Sequence, residues 1–137
     1  MGNKIVLTLA LCAGVFFTSC QTNQVEKVTT SEEIQKIISS LNNVNQVDLS
    51  NPNNVLIDVR TPEEYAEGHV PGAINLNVKD DNFGKRVSEL DSTKNYYIYC
   101  RSGVRAKSAE MIMLENNLNK VHTFQDGMMT YEGEIAK

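Results

Sequence analysis

The chain has 137 residues, of which 41% are hydrophobic and 22% charged, and it carries a formal net charge of −4. That length and balance suit one globular domain built on a single core. The acidic excess, with no cluster of lysines and arginines, excludes a nucleic-acid-binding face and a basic surface for anionic lipid.

The first twenty residues stand apart from the rest. Asn3-Lys4 is a short positive start, and Ile5 to Phe17 is an apolar run of 13 residues. Phe17-Thr18-Ser19-Cys20 then closes it with small residues before a cysteine. A membrane-spanning helix needs about 20 apolar residues, so the run reads as a secretion signal. The segment resembles a bacterial lipoprotein signal peptide. That resemblance implies cleavage before Cys20, lipidation of Cys20, and a lipid-anchored protein of the bacterial cell envelope facing the periplasm. Acyl chains hold by burying methylenes at ~0.8 kcal/mol each. The expected organisation is therefore a signal peptide at 1–19, a lipidated N-terminus and tether at 20–29, and a folded domain at 30–137. Residues 1–19 hold Lys4 as their one charged side chain, so the processed chain has a charge of −5. Cys12 leaves with the signal and Cys20 is consumed by lipid, which makes Cys100 the remaining free thiol. No intramolecular disulfide can then form, in a compartment where disulfides persist.

Gln21 to Thr29 is polar and without periodicity. Thr30-Ser31-Glu32-Glu33 is a capping box, and Ile34, Ile37, Ile38 and Leu41 follow at helical spacing, predicting a helix over 31–41. The Asn-rich stretch 42–54 reads as loop, with room for a short strand near Val44–Leu49. Val55 to Val59 is a short, β-branched apolar run holding one carboxylate, as in a strand buried on both faces. Thr61-Pro62-Glu63-Glu64 is a second capping box with proline at the first helical position, and Gly68 stops that helix. Ala73 to Leu76 reads as a strand, 80–90 as a helix around Gly84, and Tyr96 to Tyr99 as another buried strand. Val104 to Asn116 forms a helix with Ala109, Ile112 and Met113 on its apolar face. A strand at Val121 to Phe124 and a closing helix from Met128 to Ala136 complete the pattern. Alternating strands and helices define an α/β class with a mostly parallel sheet.

Cys100 ends the Tyr96–Tyr99 strand, and only three residues separate it from the helix at Val104. Ligands in such folds sit outside the carboxyl ends of the strands. Successive amides of Arg101-Ser102-Gly103 can converge in an anion-binding nest, and the helix N-terminus adds a favourable field. Arg101 and Arg105 add full positive charges. Each feature favours a thiolate over a thiol, and the same features would hold a small oxyanion above the sulfur.

The segment Asp58-Val59-Arg60-Thr61-Pro62-Glu63-Glu64-Tyr65, through Gly68-His69-Val70-Pro71-Gly72-Ala73-Ile74-Asn75, resembles the N-terminal signature of the rhodanese family. Cys100-Arg101-Ser102-Gly103-Val104-Arg105-Ala106 resembles that family's active-site loop. The resemblance implies a single-domain rhodanese-like fold: a central, mostly parallel sheet of about five strands with helices on both faces. It implies a sulfurtransferase, moving sulfane sulfur from thiosulfate or a related donor to cyanide or a thiol through a persulfide on Cys100. The resemblance also allows a protein acceptor. Arg101, Ser102, Gly103, Val104 and Arg105 would form the substrate-binding loop, with the amides cradling the persulfide and both arginines holding an anionic donor. Asp58, Arg60 and His69 match positions of structural support, Arg60 as a partner for Glu64 or a neighbour. His122 is read as a strand residue. No cofactor is required, and two distant histidines beside one available cysteine support no metal site. The family's closing motif usually has a Gly-Gly pair and a tryptophan, where this chain has Asp126-Gly127 and Tyr131.

Two other readings differ from this one. Cysteine phosphatases and arsenate reductases use Cys-x5-Arg, whereas Cys100 to Arg105 is one residue shorter. A membrane-tethered binding or sulfur-relay module would keep Cys100 without turning over thiosulfate.

Overall fold

The structure, a computed structural model, describes residues 30–137. The signal-peptide, Cys20-lipidation and tether expectations lie outside the described residues.

Strand β1 (Asn54–Asp58) and strand β3 (Asn95–Cys100) occupy the middle of a four-stranded sheet. Strand β2 (Ile74–Asn75) lies beside β1, and strand β4 (Val121–Gly127) beside β3, giving the order β2-β1-β3-β4. Every pairing is parallel. Residues 96–100 are all buried, as expected of a strand covered on both faces. Helices α3 (Phe83–Ser88) and α4 (Val104–Glu115) cover one face, where Phe83, Val87, Ala106, Ala109 and Met113 pack on Ile57 and Ile98. Helix α1 (Ser31–Ile38), with the 3-10 helix Leu41–Gln46 after it, covers the other, where Ile38, Leu41 and Val44 meet Leu56, Tyr97 and Phe124. Helix α2 (Pro62–Glu67) adds Tyr65 to that second layer.

Both predicted capping boxes form. The Thr30 and Thr61 side chains accept the N–H of Glu33 and Glu64, whose carboxylates in turn accept the threonine N–H groups. Three expectations are corrected. The sheet among the described residues has four strands, not about five, because Leu41–Gln46 closes into a 3-10 helix in place of a strand near 44–49. Ser40 Oγ and Val44 C=O satisfy amides at its two ends. The helix expected over 128–136 is absent: the segment is one turn at 128–130 followed by irregular chain, and Ala136 instead forms a two-bond antiparallel bridge with His69. Helix α1 ends at Ile38, short of Leu41.

The end of β1 is tied down by a buried ion pair. Arg60 donates Nη2–H to Asp58 Oδ2 at 2.6 Å and Nε–H to both carboxylate oxygens at 3.0 Å. A further Nη2–H reaches the Gly68 carbonyl at 2.7 Å, clamping the end of α2 to β1. The Tyr99 hydroxyl accepts the Val70 N–H at 3.1 Å. Burial first, and the Asp58 charge second, push the Tyr99 phenol well above its ordinary range. Asp58 and Arg60 are the buried charged residues among those described. Removing one member strands the other charge in the core, which costs about 3–5 kcal/mol, whereas replacing both by apolar residues is close to neutral. Arg60→Ala is therefore expected to lose about 3–5 kcal/mol in urea unfolding, and the double variant Asp58→Leu/Arg60→Met to recover most of it.

Candidate active site

Cys100 is the last residue of β3 and is fully buried. It is the one cysteine among the described residues and carries no disulfide. Between Ile98 and Cys100 the pairing with β4 slips: Ile98 faces Thr123, but Cys100 faces Gly127. Two extra residues of β4 therefore bulge beside the cysteine. The bulge brings the Gln125 carbonyl against Gly103, where a Cβ would stand 2.4 Å from that oxygen. Gly103 also has φ +88°, a conformation that strains any residue with a side chain. At Gly127 a Cβ would stand 2.2 Å from the Cys100 carbonyl oxygen.

These approaches fold the loop down over the sulfur. The Gly103 N–H donates to Cys100 Sγ at 3.1 Å, and Gly103 is the N-cap of α4. The Cys100 and Arg101 carbonyls accept the N–H groups of Met128 and Met129, both at 3.0 Å, fixing the outer side of the loop. The sulfur thus lies against the Gly103 N–H at the start of α4, a surrounding complementary to negative charge.

Arg101, Ser102 and Val104 are exposed on the rim, and Gly103 and Arg105 are half-buried. Arg105 points back to α2, donating Nη1–H to Glu64 Oε2 at 2.6 Å and Nη2–H to Oε1 at 2.8 Å. Glu64, which the sequence marks as a capping residue, is thus Arg105's partner, while Arg60 pairs with Asp58. The pair joins residues 41 positions apart, and no local spacing announces it. The Arg105 hydrogen bonds bring the Glu64 carboxyl down from 4.5 to about 2, helped by the Thr61 N–H and opposed by partial burial. The Arg105 guanidinium is raised in turn, chiefly by Glu64 and further by the nearby Cys100 and Asp58.

His69 stacks on Tyr65 with ring centroids 3.7 Å apart, and its Nδ1 lies 2.9 Å from the Tyr65 carbonyl. His122 lies in β4 with its ring 4.9 Å from that of Tyr97, and burial lowers its pKa. Asp126, where the family usually has glycine, accepts Ser40 Oγ–H at 2.8 Å, the Leu41 N–H at 2.5 Å and Thr130 Oγ–H at 3.0 Å. It fastens the 3-10 helix to the end of β4. Beside the loop, a groove of about 620 Å³ runs along β4 between α1 and α4, bordered by Ile38, Ser102, Val104, Lys107, His122 and Gln125. No group of three or more candidate metal ligands occurs among the described residues.

A parallel α/β sheet presenting a strand-end cysteine to the Gly103 amide and the N-terminus of the next helix defines a thiol site suited to negative charge. The chain belongs to the rhodanese-like domain family, whose model matches residues 41–134. It is 38% identical over 79 residues to the Bacillus subtilis protein named "Putative sulfurtransferase YtwF", a match covering 58% of this chain and 74% of that one. It is 34% identical over 79 residues to "Putative sulfur carrier protein YrkF" of the same organism, covering 58% of this chain and 42% of that protein. A rhodanese-like domain protein from Staphylococcus aureus superimposes with a TM-score of 0.52 at 34% identity, over 68% of this chain and 90% of that one. The α/β fold and family expected from the motifs are thereby established.

Glu64 is ionised and bonded above its unfolded pKa of 4.5, so its contribution to stability is full there and is lost as pH falls towards 2. The two side chains are 22% and 29% exposed, so solvent screening discounts the pairing and leaves about 1–2 kcal/mol. Glu64→Gln is expected to remove that part of the acid slope when unfolding free energy is followed from about pH 6 to about pH 2.

Proposed function

We propose that the protein is a sulfurtransferase that carries sulfane sulfur as a persulfide on Cys100. The observation that carries this reading is the buried Cys100 Sγ at the end of β3 with the Gly103 N–H 3.1 Å away at the start of α4. The Cys100 thiolate attacks the outer sulfur of a donor. The donor's S–S bond breaks, and its electron pair leaves on the departing group, sulfite when thiosulfate is the donor. The terminal sulfur now bears the negative charge and sits among the loop amides, which are already oriented and need no reorganisation. A thiol or cyanide then attacks that sulfur and frees the Cys100 thiolate.

The step needs no general base, and the stacked, carbonyl-bound His69 supports a structural role for that residue. Phosphoryl transfer is disfavoured because Arg105, the residue that would chelate phosphate, is engaged by Glu64. Similarity to YrkF favours a protein acceptor as a second reading, with the same persulfide handed on as in a sulfur relay. The Phe17-Thr18-Ser19-Cys20 motif supports a lipid anchor in the cell envelope.

Incubation of the purified protein with a sulfane-sulfur donor and no acceptor should add one cyanide-removable sulfur to the intact mass. Cys100→Ser should abolish that uptake while unfolding at the wild-type urea midpoint. Uptake by Cys100→Ser, or none by wild type from any donor, overturns the assignment. For the anchor, full-length protein should partition into detergent and Cys20→Ser should not. Equal partitioning and processing of the two would remove the lipoprotein reading.

A further inference from the structure

Arg105 lies close to Cys100 and Arg60 stands at the end of the neighbouring strand β1, and a carboxylate engages each of them. Arg60 is bonded to Asp58 through three contacts of 2.6–3.0 Å. Arg105 is bonded to Glu64 through both terminal nitrogens. Arg101 is exposed on the rim, where water and salt screen its charge. The site therefore offers amide dipoles and two neutralised pairs. That matches the single negative charge of a thiolate or persulfide, and the one arginine of the loop left without a carboxylate partner, Arg101, stands out in solvent. The rim also carries exposed apolar side chains. Val104 is 72% exposed and Met129 65% exposed, and the Met129 N–H bonds the carbonyl of Arg101, the residue after the cysteine. A dianion gains nothing from those side chains, whereas the carbon body of an organic donor does.

Resting on the sulfur-transfer reading above, we infer that Glu64 is a specificity-determining residue that selects organic persulfides, carrying at most one charge at the reacting sulfurs, over dianionic thiosulfate. The loading step is Cys100–S⁻ + R–S–SH → Cys100–S–SH + R–S⁻. The new S–S bond forms at the outer sulfur, the old one breaks, and its electron pair leaves on the thiolate R–S⁻. No net oxidation occurs and no further reactant is needed. Glu64 acts through Arg105, withdrawing the charge that would otherwise meet the donor.

The test compares donors that differ in charge while keeping the same shape. Methanethiosulfonate is thiosulfate with one oxyanion replaced by methyl, and 2-hydroxyethyl persulfide represents the proposed class. Wild type should load Cys100 from both at least tenfold more efficiently than from thiosulfate, judged by kcat/KM. Glu64→Gln, in which glutamine can still complete the Thr61 capping box, should shift the thiosulfate-to-methanethiosulfonate ratio about tenfold towards thiosulfate. The change should lie in KM and shrink in high salt, a signature that loss of fold would not give. The double variant Glu64→Gln/Arg105→Gln supplies the second arm: it removes a pair of zero net charge, so the same ratio should stay within about twofold of wild type. A wild-type preference for thiosulfate, an unchanged ratio in folded Glu64→Gln, or a tenfold loss confined to thiosulfate in the double variant would each overturn the inference while leaving sulfur transfer intact. Failure of every donor to load wild type would remove the sulfur-transfer reading and this inference together.

Discussion

The backbone at Cys100 is approached from two sides more closely than any side chain permits. At Gly103 the neighbour is the Gln125 carbonyl, and at Gly127 it is the Cys100 carbonyl itself. Both contacts follow from the slip of β4 past β3 after Thr123. Without the slip, Gly127 would not face Cys100, and the Arg101–Gly103 loop would have no wall to fold against. Without the two glycines the slip could not close. The hydrogen bond to Sγ, the position of the α4 N-terminus and the direction of Arg105 all descend from that one close fit.

Around it the molecule settles its charges in pairs. The Asp58–Arg60 pair is buried and serves geometry, binding β1 to the Gly68 carbonyl at the end of α2. The Glu64–Arg105 pair is partly exposed and joins α2 to α4 across the mouth of the site. Helix α2 has six residues and no fully buried side chain, so it is held by these two pairs, its capping box and Tyr65 more than by its own apolar face. A short helix with so little burial gains its place through directional bonds, and directional bonds fix side-chain positions more tightly than apolar packing does.

The parts legible in the sequence were those written in local spacing. Two capping boxes, two β-branched or aromatic runs and the Cys100-to-Val104 interval are all contained within a few residues, and each appears where expected. What was not legible depends on residues far apart. The sequence of Val121 to Gly127 does not disclose that two of its residues will bulge, because the bulge is fixed by the fit of β4 to β3. Met128 to Ala136 has a helix-compatible composition, but Ala136 finds its partner at His69, and the chain runs as one turn and irregular chain to reach it. Arg105 reads as a free cation beside a thiol until Glu64 is brought up from the other motif. Asp126 reads as a defect in a flexible motif until Ser40 and Leu41 are seen to need an acceptor.

That last contact bears on the order in which the chain can assemble. Asp126 holds residues 85 and 86 positions earlier, and Phe124, two residues before it, completes the layer that covers Ile38, Leu41 and Val44. The opening segment of the folded unit therefore cannot dock until the closing strand has been made. During synthesis at roughly 5–20 residues per second, the partners it needs on β4 follow several seconds after it, an interval in which its apolar side chains lack part of their cover.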